Sequence, residues 1–304
     1  MAVMASMRDI KRRKSSIQST QQITRAMKLV ATVKLQHARA EVEKSQTYFE
    51  YMYRTVSSML SRVETSGHPF LTARPGGKKA VIVITSDRGL AGGYNSNIVR
   101  MILQQDFDKE QLLLYTIGSK GREMLLRKGF SIQKDLLQMS ETPVYSEAAK
   151  LSKELLSLYE NGEVSEIYVA YTFFKNTVNF EPKLRKLLPL TQTEDSDEEK
   201  KQAETKEAQL KEAQLKEAQL LMNFEPSEEQ VLDIIIPKYI TSLIYEAMMD
   251  ASASENAARM QAMDNATGNA EEMIEDLTLK YNRARQGSIT QELTEIIAGA
   301  EAIS

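Results

Sequence analysis

The residues with the best claim to chemistry lie in AVIVITSDRGLAGGYNSNI, Ala80 to Ile98. An apolar run leads into Gly89, Gly92 and Gly93, and a helical pattern follows. Strand, glycine loop and helix in that order can hold a phosphate on free N–H groups at the helix start. Asp87 and Arg88 would then be a ligand and a phosphate clamp. The spacing speaks against this. A dinucleotide fingerprint reads G-x-G-x-x-G and a P-loop ends in G-K-[ST]. Here the glycines fall as G-x-x-G-G, and Gly93 precedes Tyr94 and Asn95. Asp87 and Arg88 can equally pair with each other or cap the next helix.

Other chemistry is scarce. The chain has no cysteine, which excludes disulfides, thiolate nucleophiles and Cys-based metal sites. Only His37 and His68 are present. The carboxylates are many, but none pairs at an informative spacing. We therefore predict no catalytic residue, no cofactor and no metal. Met248, Met260 and Met263 read as packing surface. No apolar run approaches the ~20 residues of a membrane span.

Charge is unevenly spread. Met1 to Ala40 holds nine Lys or Arg and one acid, Asp9, whereas Thr191 to Thr205 holds six acids and two lysines. A basic end suits nucleic acid, an anionic surface or a partner-facing helix. It is acid-poor, as a transit peptide is, but lacks the apolar core of a secretory signal.

The elements that must position these residues follow from proline and glycine. Residues 1–66 contain neither, and GHPFLTARPGG (Gly67 to Gly77) then reads as a linker. After Pro237 there is no proline, and only Gly268, Gly287 and Gly299 interrupt. Both ends therefore read as long helices. The first spans about Met7 to Glu64. The last is started by a capping box at Ser227 and Gln230 and is kinked or restarted at Pro237. At ~1.5 Å per residue they would run roughly 85 and 110 Å. Neither fits a globule with a radius of gyration of about 19 Å. An antiparallel coiled coil with a central domain at one end is the simplest arrangement.

Its seam is odd. Steps of three and four give Ala247, Ala251, Ser254, Ala258, Gln261 and Asn265, then Ile274, Leu277, Tyr281, Ile289, Leu293 and Ile296. Small and polar residues replace the usual Leu and Ile in the first half. On the first helix the apolar positions are Ile10, Ile17, Ile23, Met27, Val30 and Val33. Such a shaft is expected to be surrounded by something else.

The middle alternates. AVIVIT, QLLLYTIG, FSIQKDLL, EIYVAYTFF and TVNFEPKLRKLLPL read as strands, with helices near residues 95–105, 119–129 and 146–160. That pattern predicts a Rossmann-like α/β domain with a largely parallel sheet. An insert follows: acidic TEDSDEEKK, then three copies of KEAQL from Lys206 to Leu220. Leucines five apart turn about 140° each around a helix and make no core face. We read an exposed, fluctuating helix or a disordered loop. The organisation is thus 1–66 first shaft helix, 67–190 central domain, 191–226 insert and 227–304 last shaft helix.

Three segments together carry a resemblance. MRDIKRRKSSIQSTQQITRAMKLVATVKL (Met7 to Leu35), SDRGLAGGYN (Ser86 to Asn95), and SENAARMQAMDNATGNA with YNRARQGSITQELTEIIAGAEA near the end are similar to motifs of the bacterial γ subunits of F-type ATP synthases. The match keeps its order from Met7 to about Ala302, which leaves no room for a transit peptide. The resemblance implies a central rotor stalk inside the F1 ring of three α and three β subunits. Its foot would meet the ε subunit and the membrane c-ring of Fo. The subunit would couple proton or sodium flow to ATP synthesis or hydrolysis by rotation, as a peripheral protein on the cytoplasmic face of the cell membrane. ATP chemistry belongs to α and β, so this chain has no active site of its own.

The resemblance also implies rotor–stator contacts at Met27, Lys28, Arg259, Arg285, Gln286, Thr290 and Glu292. The arginines can alternatively pair with acids along the coiled coil. Asp87, Arg88, Gly89, Gly92 and Gly93 form the head-domain motif. Light-regulated chloroplast members carry a cysteine pair in an insert; this chain has none, so thiol switching is excluded. KEAQL repeats lie outside the family pattern. The weak seam is expected to keep the rotor's three stopping angles close in energy, since a partner is shifted only by differential contact. A nucleotide-binding α/β enzyme and a nucleic-acid-binding coiled coil are the competing readings.

Overall fold

A computed structural model of the chain describes residues 7–60, 68–72, 74, 76–136, 139–190 and 228–301. The KEAQL insert and Ser227 lie outside the described residues. In chain order the elements are α1 (Met7–Leu60), β1 (Lys78–Ile84), α2 (Tyr94–Gln104), β2 (Leu112–Ile117), α3 (Ser119–Arg127), β3 (Ile132–Leu136), α4 (Tyr145–Glu160), β4 (Val164–Phe174), β5 (Phe180–Leu188) and α5 (Glu228–Glu301). A short 3-10 turn, Lys109–Gln111, precedes β2. The helix does not restart at Pro237, which lies inside α5; its carbonyl accepts the Thr241 hydroxyl at 2.8 Å. The chain forms two units, one from Met1–Val33 with Ala257–Ser304 and one from Lys34–Asn256.

The larger unit holds a five-stranded sheet in the order β3-β2-β1-β4-β5. β1 pairs parallel with β2 and β4, and β2 pairs parallel with β3. β5 returns antiparallel on β4. Ala80 to Ile84 are at most 1% exposed. A parallel strand with both faces covered reads as a continuous apolar run, which is why AVIVI shows no alternation. The turn into β5 is held by Asn176, whose Oδ1 accepts the N–H groups of Val178 and Asn179 at 2.9 and 2.7 Å.

The core gathers Ala80, Ile82 and Ile84 of β1, Leu155 and Tyr159 of α4, Val169 and Tyr171 of β4, and Val56 and Met59 of α1. Ile236, Ile240, Ile244, Ala247, Met248 and Ala251 of α5 complete it. Within this unit every residue of α5 from Ala247 to Asn256 is buried. Ala247, Ala251 and Ser254 are therefore not a seam with water behind it. They are three positions on a helix covered on every side.

The smaller unit is an antiparallel pair of helix segments. Thr24 and Thr267 meet through their hydroxyls at 2.8 Å, and Gln21 and Arg25 both reach Glu271. On α1, Ile10, Thr24 and Ala31 are buried; on α5, Ala258, Met263, Thr267 and Ala270 are. Ile10, Thr24 and Ala31 are spaced by multiples of seven, and Met263, Thr267 and Ala270 by four and three, as along a coiled-coil seam. The expected line slips at two positions, since Gln261 and Asn265 are exposed. Ile274, Leu277 and Tyr281 are half-buried, whereas Ile289, Leu293 and Ile296 are exposed. On α1, Ile23, Val30 and Val33 are exposed rather than in the seam.

Candidate functional site

The loop that joins β1 to α2 lies at the carboxyl end of β1, where the strand order reverses between β1 and β4. In open α/β sheets that crevice is the usual ligand site. Here its polar groups are turned on each other. Asp87 places Oδ1 2.9 Å from the Ser119 N–H and accepts the Ser140 hydroxyl on Oδ2 at 2.8 Å. Its carbonyl accepts the Ser119 hydroxyl at 2.8 Å. Asp87 is thus the anion at the positive end of α3, the place a phosphate would take.

The neighbouring amides are spent as well. The Ser86 N–H goes to Asn95 Oδ1 at 2.9 Å, the Lys120 N–H to the Ser86 carbonyl at 3.0 Å, and the Gly121 N–H to Thr85 Oγ1 at 3.0 Å. A phosphate would have to displace these bonds. At the start of α3 this argues against a bound phosphate, in addition to the spacing of the glycines.

The glycines divide differently from expectation. Of the three in the motif only Gly92 has a left-handed backbone (φ +56°), and the other left-handed residue is exposed Leu90 at φ +63°. A Cβ at Gly89 would meet nothing within 4 Å. The close backbone approach is instead at Gly118, where φ is +96° and a Cβ would fall 2.1 Å from the Thr85 carbonyl oxygen. The signal for this was G-S-K-G directly after β2, a second strand-to-helix corner that the sequence reading passed over.

Arg88 does not pair with Asp87. Its Nε lies 3.1 Å from Glu141 Oε1, and Glu141 Oε2 lies 3.2 Å from Lys34 on α1. These partly exposed pairs contribute about 0–1 kcal/mol each. The loop is also tied to α5: the buried Tyr94 hydroxyl donates to the Ala251 carbonyl at 3.1 Å, and the Ser252 hydroxyl donates to the Glu141 carbonyl at 3.4 Å. The head-domain motif is therefore a corner that fastens the sheet to the long helices of its own unit. Tyr94, Ser140, Glu141 and Ser252 went unnoticed because their partners lie 53 to 157 residues away.

Two carboxylates of this unit are strongly shifted. Burial pushes Asp250 of α5 well above the usual carboxylate range, aided by Glu246 and opposed by Arg185 and Lys183 of β5. Burial would also raise Glu166, but hydrogen bonds from Lys186, Lys79 and Tyr168 outweigh it and bring its pKa to about 2. No metal-holding cluster of His, Cys, Asp or Glu exists among the described residues.

The residues expected to contact a stator lie in the smaller unit. Lys28 Nζ is 2.6 Å from Asp264, with both side chains partly exposed. Met27 and Arg259 are half-buried. Arg285, Gln286, Thr290 and Glu292 are exposed on one stretch of α5. There the Thr290 hydroxyl bonds the Gln286 carbonyl at 2.9 Å, and the Ser288 hydroxyl donates to Glu292 at 3.4 Å. Ile289, Leu293, Ile296 and Ile297 lie on the same stretch, 49–68% exposed. Contiguous exposed apolar surface of this kind marks an interaction site.

Known proteins bear on what meets it. The family described as ATP synthase matches residues 6–303. The chain is 56% identical over 301 residues to the ATP synthase gamma chain of Lachnoclostridium phytofermentans, covering 99% of this chain and 100% of that one. It is 40% identical to the sodium-ion-specific ATP synthase gamma chain of Acetobacterium woodii, covering 97% and 98%. A chain in the mitochondrial ATP synthase of Euglena gracilis, solved with OSCP, F1 and c-ring, aligns with a TM-score of 0.68 at 18% identity. That alignment covers 98% of this chain and 94% of that one, and it bears on the fold.

Proposed function

This chain belongs to the ATP synthase gamma-chain family, and from that membership we propose that it is the central rotor stalk of an F1Fo ATP synthase. It couples ion flow through the c-ring to ATP synthesis or hydrolysis on the α3β3 ring. Its partners are the α and β subunits of F1, the ε subunit and the c-ring. It is part of the membrane-attached F1 sector, and we assign it to the cytoplasmic face of the cell membrane. No helix among the described residues is long and apolar enough to cross a membrane.

The observation that carries this reading is the end of α5. Ile289, Leu293, Ile296 and Ile297 are half to two-thirds exposed along one helix, in a chain whose relatives match it from end to end. A helix that leaves such a stripe open needs an external sleeve. The α3β3 ring supplies one. Arg285, Gln286, Thr290 and Glu292 flank the stripe and are proposed as its polar contacts with the ring, with Met27, Lys28 and Arg259 as further contacts. Residues 191–226 are proposed as an insert between the head domain and α5.

The test is assembly. Expressed with the α and β subunits of its source, this chain should co-purify with both, and the complex should hydrolyse ATP. Retention of neither subunit would overturn the reading. Saturable ATP binding by the isolated chain would favour a nucleotide-binding enzyme instead.

A further inference from the structure

Residues Ala247 to Asn256 of α5 are all buried. Ten residues make nearly three turns of helix, so no face of this segment meets solvent. A helix packed on a sheet needs only one covered face. Complete enclosure calls for another explanation. Ala247, Ala251, Ser252, Ala253 and Ser254 are small, which lets the surrounding backbone close in. On the faces they form, little side-chain relief resists turning of the helix within its sleeve.

Four polar contacts from four different elements oppose turning. Tyr94 of α2 donates to the Ala251 carbonyl at 3.1 Å. The Glu141 carbonyl, beyond β3, accepts the Ser252 hydroxyl at 3.4 Å. The Thr172 carbonyl of β4 accepts the Ser254 hydroxyl at 3.1 Å. Arg185 of β5 places Nη1 3.4 Å from Glu246 Oε2, and its side chain is only 7% exposed. Glu246 and Asp250 stand one turn apart on α5, with Asp250 only 5% exposed. A partly buried Arg–Glu pair adds little net stability, but the best-attested use of such a pair is to fix register between packed elements.

We propose that Arg185, Glu246 and Asp250 are positioning residues that key α5 inside the head domain, fixing its angle and axial height so that torque passes between domain and helix without slip. This rests on the rotor reading above. The key touches no nucleotide. It decides how much of the rotation made at one end of the chain reaches the other.

The experiment uses the whole complex, reconstituted in vesicles with α, β, ε and c-ring subunits. The variant Arg185→Met/Glu246→Leu/Asp250→Leu replaces the key with apolar groups of similar bulk. ATP hydrolysis should be little changed, while ions moved per ATP should fall about threefold or more. Because the chain has no cysteine, Thr172→Cys/Ser254→Cys can be added to the same variant as a unique pair. Oxidation to the disulfide should restore ions moved per ATP, and reduction should remove the gain. An unchanged ratio in the triple variant would overturn the proposal. So would equal loss of hydrolysis and pumping, or a disulfide that forms without rescue. If the triple variant does not assemble, Arg185→Lys takes its place; it keeps the charge, loses the planar fork, and is judged by the same ratio. A native chain that yields no pumping complex would sink the rotor reading instead.

Discussion

Two stretches of α5 are built from opposite materials. Ala247–Asn256 is small or polar except for Met248 and Met249, and wholly buried; residues 285–301 carry four large aliphatic side chains, and all four are exposed. The difference teaches that burial on this helix follows fit. Small residues let β4, β5, α2 and the loop after β3 close around the helix, and each hydroxyl finds a carbonyl. The large residues are left open by the described residues, Ile289, Leu293, Ile296 and Ile297 being half to two-thirds exposed. Pairs such as Gln21 with Glu271 and Thr24 with Thr267 run antiparallel. By that pairing, the first turn of α1 faces α5 near residue 284.

The sharpest way to break the comparison is Ser254→Leu. Ser254 is fully buried, so the larger side chain overpacks the enclosure and orphans the Thr172 carbonyl. We expect a loss of about 3 kcal/mol in unfolding free energy, measured by urea denaturation. A loss below 1 kcal/mol would mean the enclosure is loose.

Glu166→Gln probes a charged cluster of the same unit. With its pKa lowered to about 2 from 4.5, Glu166 contributes stability that is fully present above pH 4.5. That contribution is lost as pH falls toward 2. Discounted for the exposure of Lys79, the variant should lose about 2 kcal/mol at pH 7. The gap between variant and native chain should close in acid. A gap that persists at pH 2 would contradict the ion-pair account.

Tyr94→Phe removes one hydroxyl that donates to the Ala251 carbonyl. Both groups are buried, so about 1 kcal/mol should be lost in the same assay. The smallest stability effect is expected at the open end. Leu293→Ser should change the stability of the isolated chain by less than about 0.5 kcal/mol. It should nonetheless weaken retention of α and β subunits in co-purification. Unaltered retention would remove Leu293 from the interface.

Ala258 and Asn265 show where the seam argument needed correction. Both sat on the small-residue line that was expected to smooth rotation. Ala258 is 4% exposed and Asn265 is exposed. A leucine at Ala258 therefore disturbs packing within the chain, and only one at Asn265 tests a surface against an outside partner. The two substitutions cannot share one explanation.

Much of the architecture was legible because it is written in local pattern. AVIVI, LLLYTI and IYVAYTFF are apolar runs bounded by turn residues, and they became β1, β2 and β4. The absence of Pro and Gly from residues 1–66 and their rarity after Pro237 announced α1 and α5. SDRGLAGGYN was recognisable as a corner, but its wiring was not. Asp87 meets Ser140, and Tyr94 meets Ala251, across 53 and 157 residues. No periodicity records such pairings.

Sequence by itself determined the elements, their order and the family, because helix and strand patterns and motif residues are local and survive without coordinates. Tertiary structure alone decided which parts of α5 are enclosed and which are open. A helix covered on one side shows its buried face as a 3.6-residue rhythm. One covered on all sides has no rhythm to read, and one whose partner is another chain shows the same apolar stripe as a core helix. Only the neighbours in space distinguish the three.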